Sequence, residues 1–439
     1  MENPNHSFED YSVVEDLLKN TRIPDMFPVR QKFNDTKIED LPAEIEKQLE
    51  AAKASALLKP GMSICITASS RGIDRQNVIL REIARYLQKC GCRPFIIPAM
   101  GSHGGATAEG QRAILTSYGI TEAFCGCPVI SSMETVRLGD VEEDGKLLEV
   151  RVDRHAFEAD GIVVFGRIKP HSAFRGPIES GLTKMMCIGL GKQAGADSLH
   201  RDGFGTFKTR IPLFGNYVRT HTKVLFGVAT IENAYDKANR IAVLKNEEIP
   251  EKEPELLKYA FDLMPRILVD RTDVLVVGEL GKNFSGSGMD PNITGTWNTP
   301  YGSGGIQKQR TVVLDLTDVS HGNGLGIGQA DTTTLRFYNK LNFMETYPNA
   351  LTSTVFLPIK LPMVLRDDDM AIRGAIKTCN HFDPSNPKVV LIHNSLDIEE
   401  IYLSRAFWKE VQDIPGIEIM GDPAPLPFDK AGNLLLWQD

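Results

Sequence analysis

The sequence predicts an α/β protein of two α/β domains with mainly parallel sheets and an active site in the interdomain cleft. Three observations predict it. The chain has 439 residues, and at roughly 100–200 residues per domain that is more than one core holds. Short apolar runs recur, each followed by a Gly-rich loop and a stretch with apolar residues at helical spacing, which is the punctuation of βαβ units. The loops that carry reactive side chains directly follow those runs, at the carboxyl edge where open parallel sheets bind ligands.

Taken in order, the first sixty residues read as a lead-in, with a helix over 42–58 favoured by Ala, Glu and Lys and ended by Lys59-Pro60-Gly61. Residues 63–67 (SICIT) form a buried strand, 68–76 a loop, and 77–89 a helix closed by Gly91. Residues 94–98 (PFIIP) are the next strand, followed by a loop holding Gly101-Ser102-His103-Gly104 and a helix over 108–117. A third buried strand at 161–165 (GIVVF) runs into residues 168–203, IKPHSAFRGPIESGLTKMMCIGLGKQAGADSLHRDG. Residues 223–245 alternate like a strand pair and 246–265 read as a charged helix, so the domains divide as 1–266 and 267–439. The second domain starts another βα series, with strands at 273–277, 311–316 and 389–393, a helix over 397–411, and a Pro-rich tail packing irregularly across the domains.

Composition bounds the function. With 42% hydrophobic and 24% charged residues and no run near the ~18 apolar residues of a membrane span, the chain reads as soluble and globular. Its N-terminus is acidic and polar, unlike a signal peptide, which predicts a cytoplasmic protein. The net charge of -8 is spread along the chain without a Lys/Arg cluster, so neither nucleic acid nor a membrane surface is a predicted partner. Of the seven Cys, four form two Cys-Gly-Cys triplets, too close for the roughly two to four intervening residues of paired zinc ligands, and read as reduced thiols. The loop SHGNGLGIGQAD (320–331) lacks the glycine register of a dinucleotide fingerprint. GLGKQ, ending at Gln193, lacks the Ser/Thr of a phosphate loop. No nucleophile elbow or His-Glu-x-x-His is present.

What remains is a constellation: Ser69-Ser70-Arg71, His103, His171, and Lys184 with His200. Two imidazoles from separate loops can act as acid and base on opposite faces of a carbon, because histidine titrates near working pH. Arg71 supplies a fork for a carboxylate, which suggests an α-hydroxy or α-keto acid. Lys184 opens a helix-like run over 183–190 whose N–H groups favour a phosphate. His200 is a borderline metal ligand, suited to Ni(II) or Cu(II) in a square-planar set. Each residue alone also has a bland reading: His171 as a turn cap, His103 as one more Gly-loop residue, Lys184 as a solvated side chain, His200 as an ordinary helix-end histidine. As a set they specify an anionic ligand and proton chemistry.

At these residues the chain resembles the nickel-pincer-nucleotide lactate racemase family. That family has a Gly-x-His loop, a Pro-His followed by Ser-Gly-Gly-x-Lys, and a His sixteen positions beyond the Lys. Gly101-Ser102-His103, Pro170-His171, Ser180-Gly181-Leu182-Thr183-Lys184 and His200 match in order, over roughly residues 60–205. The resemblance implies that Lys184 carries a pyridinium-3,5-bisthiocarboxylic acid mononucleotide through a thioamide, beside Ser180, Gly181 and Arg71. It implies that His200 gives nickel its fourth ligand. One of His103 and His171 would take the hydroxyl proton as the α-hydride passes to the cofactor. Hydride return to the other face, with the other His donating the proton, inverts the centre. Cofactor-biosynthesis enzymes of the host are implied partners, and an oligomer stays open.

This chain departs from the family at three places. His171 and Lys184 stand three residues further apart, so the loop 173–178 has grown. Ala68 stands where the family has Asp in Asp-x-Thr-Arg. The family's second-domain substrate Lys has no clear counterpart, and Lys282 is the substitute candidate. A larger 2-hydroxy acid, such as a sugar acid, is therefore a candidate substrate beside lactate. Two other readings keep the same residues: a cofactor-independent acid/base lyase or isomerase of a hydroxy acid, and a non-catalytic carboxylate- or phosphate-binding protein.

Overall fold

In the computed structural model of the chain, which describes residues 10–70 and 72–437, the backbone forms two compact units. One is Asn34–Met264; the other combines the chain before Asn34 with the chain after Met264. Both are α/β. No helix of the described residues is long and apolar enough to cross a membrane.

The sheet of Asn34–Met264 has five strands in the order Arg93–Pro98, Ser63–Ala68, Gly161–Arg167, Val224–Glu232, Ala238–Lys245. All neighbours are parallel except the last pair. Near-continuous apolar runs suit such a sheet because both of its faces are covered. Successive side chains supply the two faces: Cys65, Ile162 and Val164 enter one core, and Ile64, Ile66, Val163 and Phe165 enter the other. The helix Gln76–Lys89 covers the second face with Ile79, Leu80, Ile83, Ala84 and Leu87, a stripe at helical spacing. The helix Leu41–Ala51 joins it, started by the Asp40 carboxylate accepting from the Ala43 N–H at 3.1 Å. The other face holds most of residues 168–207, through Phe174, Leu182, Met186, Leu190, Leu199 and Phe207. A hairpin absent from the sequence reading, Thr135–Glu143 with Lys146–Asp153, adds Val141, Leu148, Val150 and Val152 to that core.

The second unit has an eight-stranded sheet ordered Met363–Leu365, Thr332–Thr334, Arg310–Leu316, Val274–Leu280, Val389–Ile392, Glu400–Ser404, Met26–Gln31, Ile417–Ile419. The first five are mutually parallel and the last three antiparallel. Three sequence readings are corrected here. The lead-in contains the strand Met26–Gln31, which pairs with Glu400–Ser404 and Ile417–Ile419; the chain before Asn34 therefore packs with the second unit, and the division falls at 264/265 rather than 266/267. The helix over 397–411 is instead the strand Glu400–Ser404 and two 3₁₀ turns, because Ile401 and Leu403 point together into the sheet. The tail packs on its own unit, where Leu426, Phe428, Leu434 and Trp437 join the core of Val274, Val312 and Leu391.

Candidate active site

Ser63–Ala68, Arg93–Pro98 and Gly161–Arg167 run parallel, so their carboxyl ends release at one edge the loops in which the sequence places the reactive residues. After the first strand, the Ser70 hydroxyl hydrogen-bonds Nδ1 of His103. Arg71, proposed to hold a carboxylate, lies outside the described residues. After the second strand, the His103 N–H donates to the Met100 carbonyl at 3.1 Å. The carbonyls of Gly101 and His103 both accept from Gln111 Nε2, at 2.9 and 3.2 Å. Gln111 is wholly buried, so it fixes this loop from beneath.

His171 follows the third strand. The carboxylate of Glu179, 1% exposed, accepts from the His171 N–H at 2.6 Å, the Gly176 N–H at 3.2 Å and Arg175 Nη1 at 3.1 Å. The added residues are thereby folded inward. Phe174 is buried, with its ring 4.6 Å from that of His171 and 5.3 Å from that of Phe207, and the Arg175 guanidinium lies over Phe261 at 4.9 Å. The Ala173 N–H donates to His171 Nδ1 at 3.0 Å. That bond puts the lone pair at Nδ1 and leaves the proton of the neutral ring at Nε2. Burial, followed by the positive charge of Lys184 and Lys169, holds its pKa well below the ordinary 6.5. The ring is neutral at neutral pH.

Lys184 closes the turn Leu182–Lys184, which continues into a π-helical turn, Met185–Gly189, a form often found at functional sites. The reading of this helix start as a phosphate site is corrected: Glu253, 1% exposed, already occupies it. Its carboxylate accepts from the Thr183 N–H at 3.1 and 3.2 Å and from the Thr183 hydroxyl at 2.5 Å. The negative charge complements the N-terminal end of the turn. Burial raises the Glu253 pKa to about 7 against the pull of those donors. A β-carbon at Gly181 would come within 2.1 Å of Glu253 Oε1, so glycine makes room for the acid. Ser180 exchanges backbone bonds with Lys169 at 3.1 and 3.3 Å, closing the neck of the loop.

His200 ends the helix Lys192–His200, and its Nδ1 donates to the Ala196 carbonyl at 2.7 Å. A carbonyl only accepts, so Nδ1 carries the proton and Nε2 the lone pair. Burial lowers its pKa, the Ala196 bond opposes this, and the Lys184 charge lowers it further. The rings of His171 and His200 flank Phe204 at 6.3 and 6.0 Å. His171, Lys184 and His200 are thus brought together by one segment. The His103 loop reaches the same segment, where the Gly101 N–H donates to the Gly189 carbonyl at 3.4 Å.

Lys282 belongs to the other unit. Its Nζ donates to the Gly286 carbonyl at 2.6 Å and to Asn349 Oδ1 at 2.8 Å. The nearby run of alternating glycines is a packing feature: at Gly326, with φ +110°, a β-carbon would lie 2.1 Å from the Ser287 carbonyl oxygen. The sequence reading missed Gln111, Glu179, Lys192 and Glu253. For Glu253 a signal exists, since it stands four residues after Ile249 and four before Leu257 on the apolar stripe of the helix Ile249–Leu263.

Residues 19–205 match the family described as the lactate racemase N-terminal domain. Among solved structures, the chain is similar to the lactate racemase apoprotein from Thermoanaerobacterium thermosaccharolyticum, with 14% identity, a TM-score of 0.50, and coverage of 84% of this chain and 93% of that one. It is also similar to a structural-genomics protein from Thermotoga maritima, with 16% identity, a TM-score of 0.46, and coverage of 63% of this chain and 72% of that one. None of the curated proteins matches. The first structural likeness is one of fold.

Proposed function

We propose that this chain, whose residues 19–205 match the lactate racemase N-terminal domain, racemises or epimerises a 2-hydroxy acid, lactate-like or larger, by proton-coupled hydride transfer. The observation that carries this reading is the state of His200. An imidazole that donates Nδ1–H to a backbone carbonyl, here Ala196 at 2.7 Å, holds its Nε2 lone pair ready for a metal. Among the described residues no group of three or more His, Cys, Asp or Glu could hold a metal ion. A single imidazole fits a metal whose other donors come from an organic group, and Lys184, whose charge acts on His200, fits as the tether. A nickel-pincer nucleotide held by these two residues would supply the hydride acceptor and donor.

The two other histidines take different parts. The Ser70 hydroxyl on His103 Nδ1 can donate or accept, so Nε2 of His103 can gain or release a proton. His103 takes the substrate hydroxyl proton and returns it. His171, neutral and with its Nδ1 held by Ala173, presents Nε2–H as a donor that orients the same oxygen. Arg71 is the proposed partner of the substrate carboxylate. Phe174, itself one of the added loop residues, is buried with its ring 4.6 Å from that of His171.

Deuterium at the substrate α-carbon tests the reading. Hydride transfer retains the label in the opposite enantiomer in ordinary water. Complete washout to solvent would establish acid/base exchange instead and remove the cofactor from the account.

A further inference from the structure

Lys192 starts the helix that ends in His200, and it is wholly buried with a left-handed backbone, φ +53°. Both features are unfavourable for a lysine, and such strain persists where the surroundings over-determine it. The surroundings are specific. Nζ lies 3.2 Å from Asp153 Oδ2 and donates to the Pro98 carbonyl at 2.5 Å and to Gln111 Oε1 at 3.4 Å. Pro98 is the last residue of the strand that launches the His103 loop. Gln111 spends its amide hydrogens on the carbonyls of Gly101 and His103. Asp153 is fixed in turn: its N–H donates to the Leu190 carbonyl at 2.7 Å and its Oδ1 accepts from the Ala156 N–H at 3.0 Å. One ammonium therefore joins the corner before the His200 helix, the end of the hairpin, and both ends of the His103 loop.

We propose that Lys192 is a positioning residue for His103: through the Pro98 carbonyl and Gln111 it sets the His103 loop against the helix that carries His200. The catalytic meaning of this strut rests on the proposed function, whereas the strut itself does not. Lysine suits the place because its ammonium donates to two acceptors on separate elements, the Pro98 carbonyl and Gln111 Oε1, while its charge pairs with Asp153. A hydrocarbon side chain of the same length would leave the Pro98 carbonyl and Gln111 Oε1 without their shared donor and the buried Asp153 without its counter-charge.

The test is hydrogen exchange on the full-length apoprotein. Lys192→Met with Asp153→Asn removes both buried charges while keeping an acceptor for the Ala156 N–H. Gln111→Met, which leaves the ion pair intact, serves as the second variant if the double variant does not fold. The expected result is exchange at least about tenfold faster at amides 101–106, with protection of the strand Gly161–Arg167 unchanged, and in loaded enzyme a fall in kcat of about tenfold with KM within about twofold. Unchanged exchange at 101–106 in a folded variant overturns the proposal. Faster exchange together with a wild-type protein that inverts no 2-hydroxy acid upholds the strut and sinks the proposed function, so the two failures are distinct.

Discussion

His171 and His200 carry their protons on different ring nitrogens for reasons visible one residue at a time. Ala173 donates into Nδ1 of His171, and Nδ1 of His200 donates to Ala196. His200→Ala should therefore abolish nickel retention while leaving any modification of Lys184 detectable by mass. His103→Ala should lower kcat by about 10²–10⁴-fold, the usual weight of a general base, measured on loaded enzyme. The depressed pKa values of His171 and His200 also act on folding. Both are neutral in the native state, so the stability they contribute is present above the ordinary 6.5 and lost as pH falls through their lower folded values. Glu253 works in the opposite direction: its pKa rises from 4.5 to about 7, so its contribution is present below 4.5 and lost as pH rises through about 7. Thermal midpoints against pH should fall less steeply below pH 6.5 in His171→Phe, and less steeply as pH rises from 4.5 to about 7 in Glu253→Gln. His103, His171, Lys184 and His200 were legible as residues from their order and spacing. Gln111 and Lys192 were not, because a buried polar side chain is defined by partners distant in sequence.

At the scale of elements, the sixteen residues from Lys184 to His200 would span about 24 Å in one straight helix. The π-helical turn Met185–Gly189 and the corner at Lys192 break that line, and the Lys184 charge is felt at His200. Gly189 permits the fold-back, since a β-carbon there would lie 2.8 Å from the Ala99 carbonyl oxygen. Gly189→Ala should cost about 1–3 kcal/mol of stability in thermal or denaturant unfolding, the usual range for overpacking. The strands ending at Ala68, Pro98 and Arg167 could be read from apolar runs alone. The hairpin Thr135–Glu143 with Lys146–Asp153 could not, because its exposed face breaks the run and its charged residues mimic a loop. Left-handed backbone at Lys192 is likewise invisible in sequence, and the partners of its side chain, Asp153, Pro98 and Gln111, lie far along the chain.

At the scale of the molecule, the chain's beginning belongs with its end. The strand Met26–Gln31 sits between Glu400–Ser404 and Ile417–Ile419, and Gln31 donates to the Ile398 carbonyl at 2.7 Å while accepting from the Leu268 N–H at 2.6 Å. Deleting residues 1–33 should remove exchange protection from Glu400–Ser404 and Val389–Ile392 while Gly161–Arg167 keeps its own. The central claim concerns Lys184 and is tested most directly by peptide mass and metal analysis of protein made in a host that builds the nickel-pincer nucleotide. The Lys184 peptide should carry a nucleotide-sized adduct with nickel bound, and Lys184→Ala should carry neither. Unmodified Lys184 in a protein that fully racemises its 2-hydroxy acid would contradict that claim.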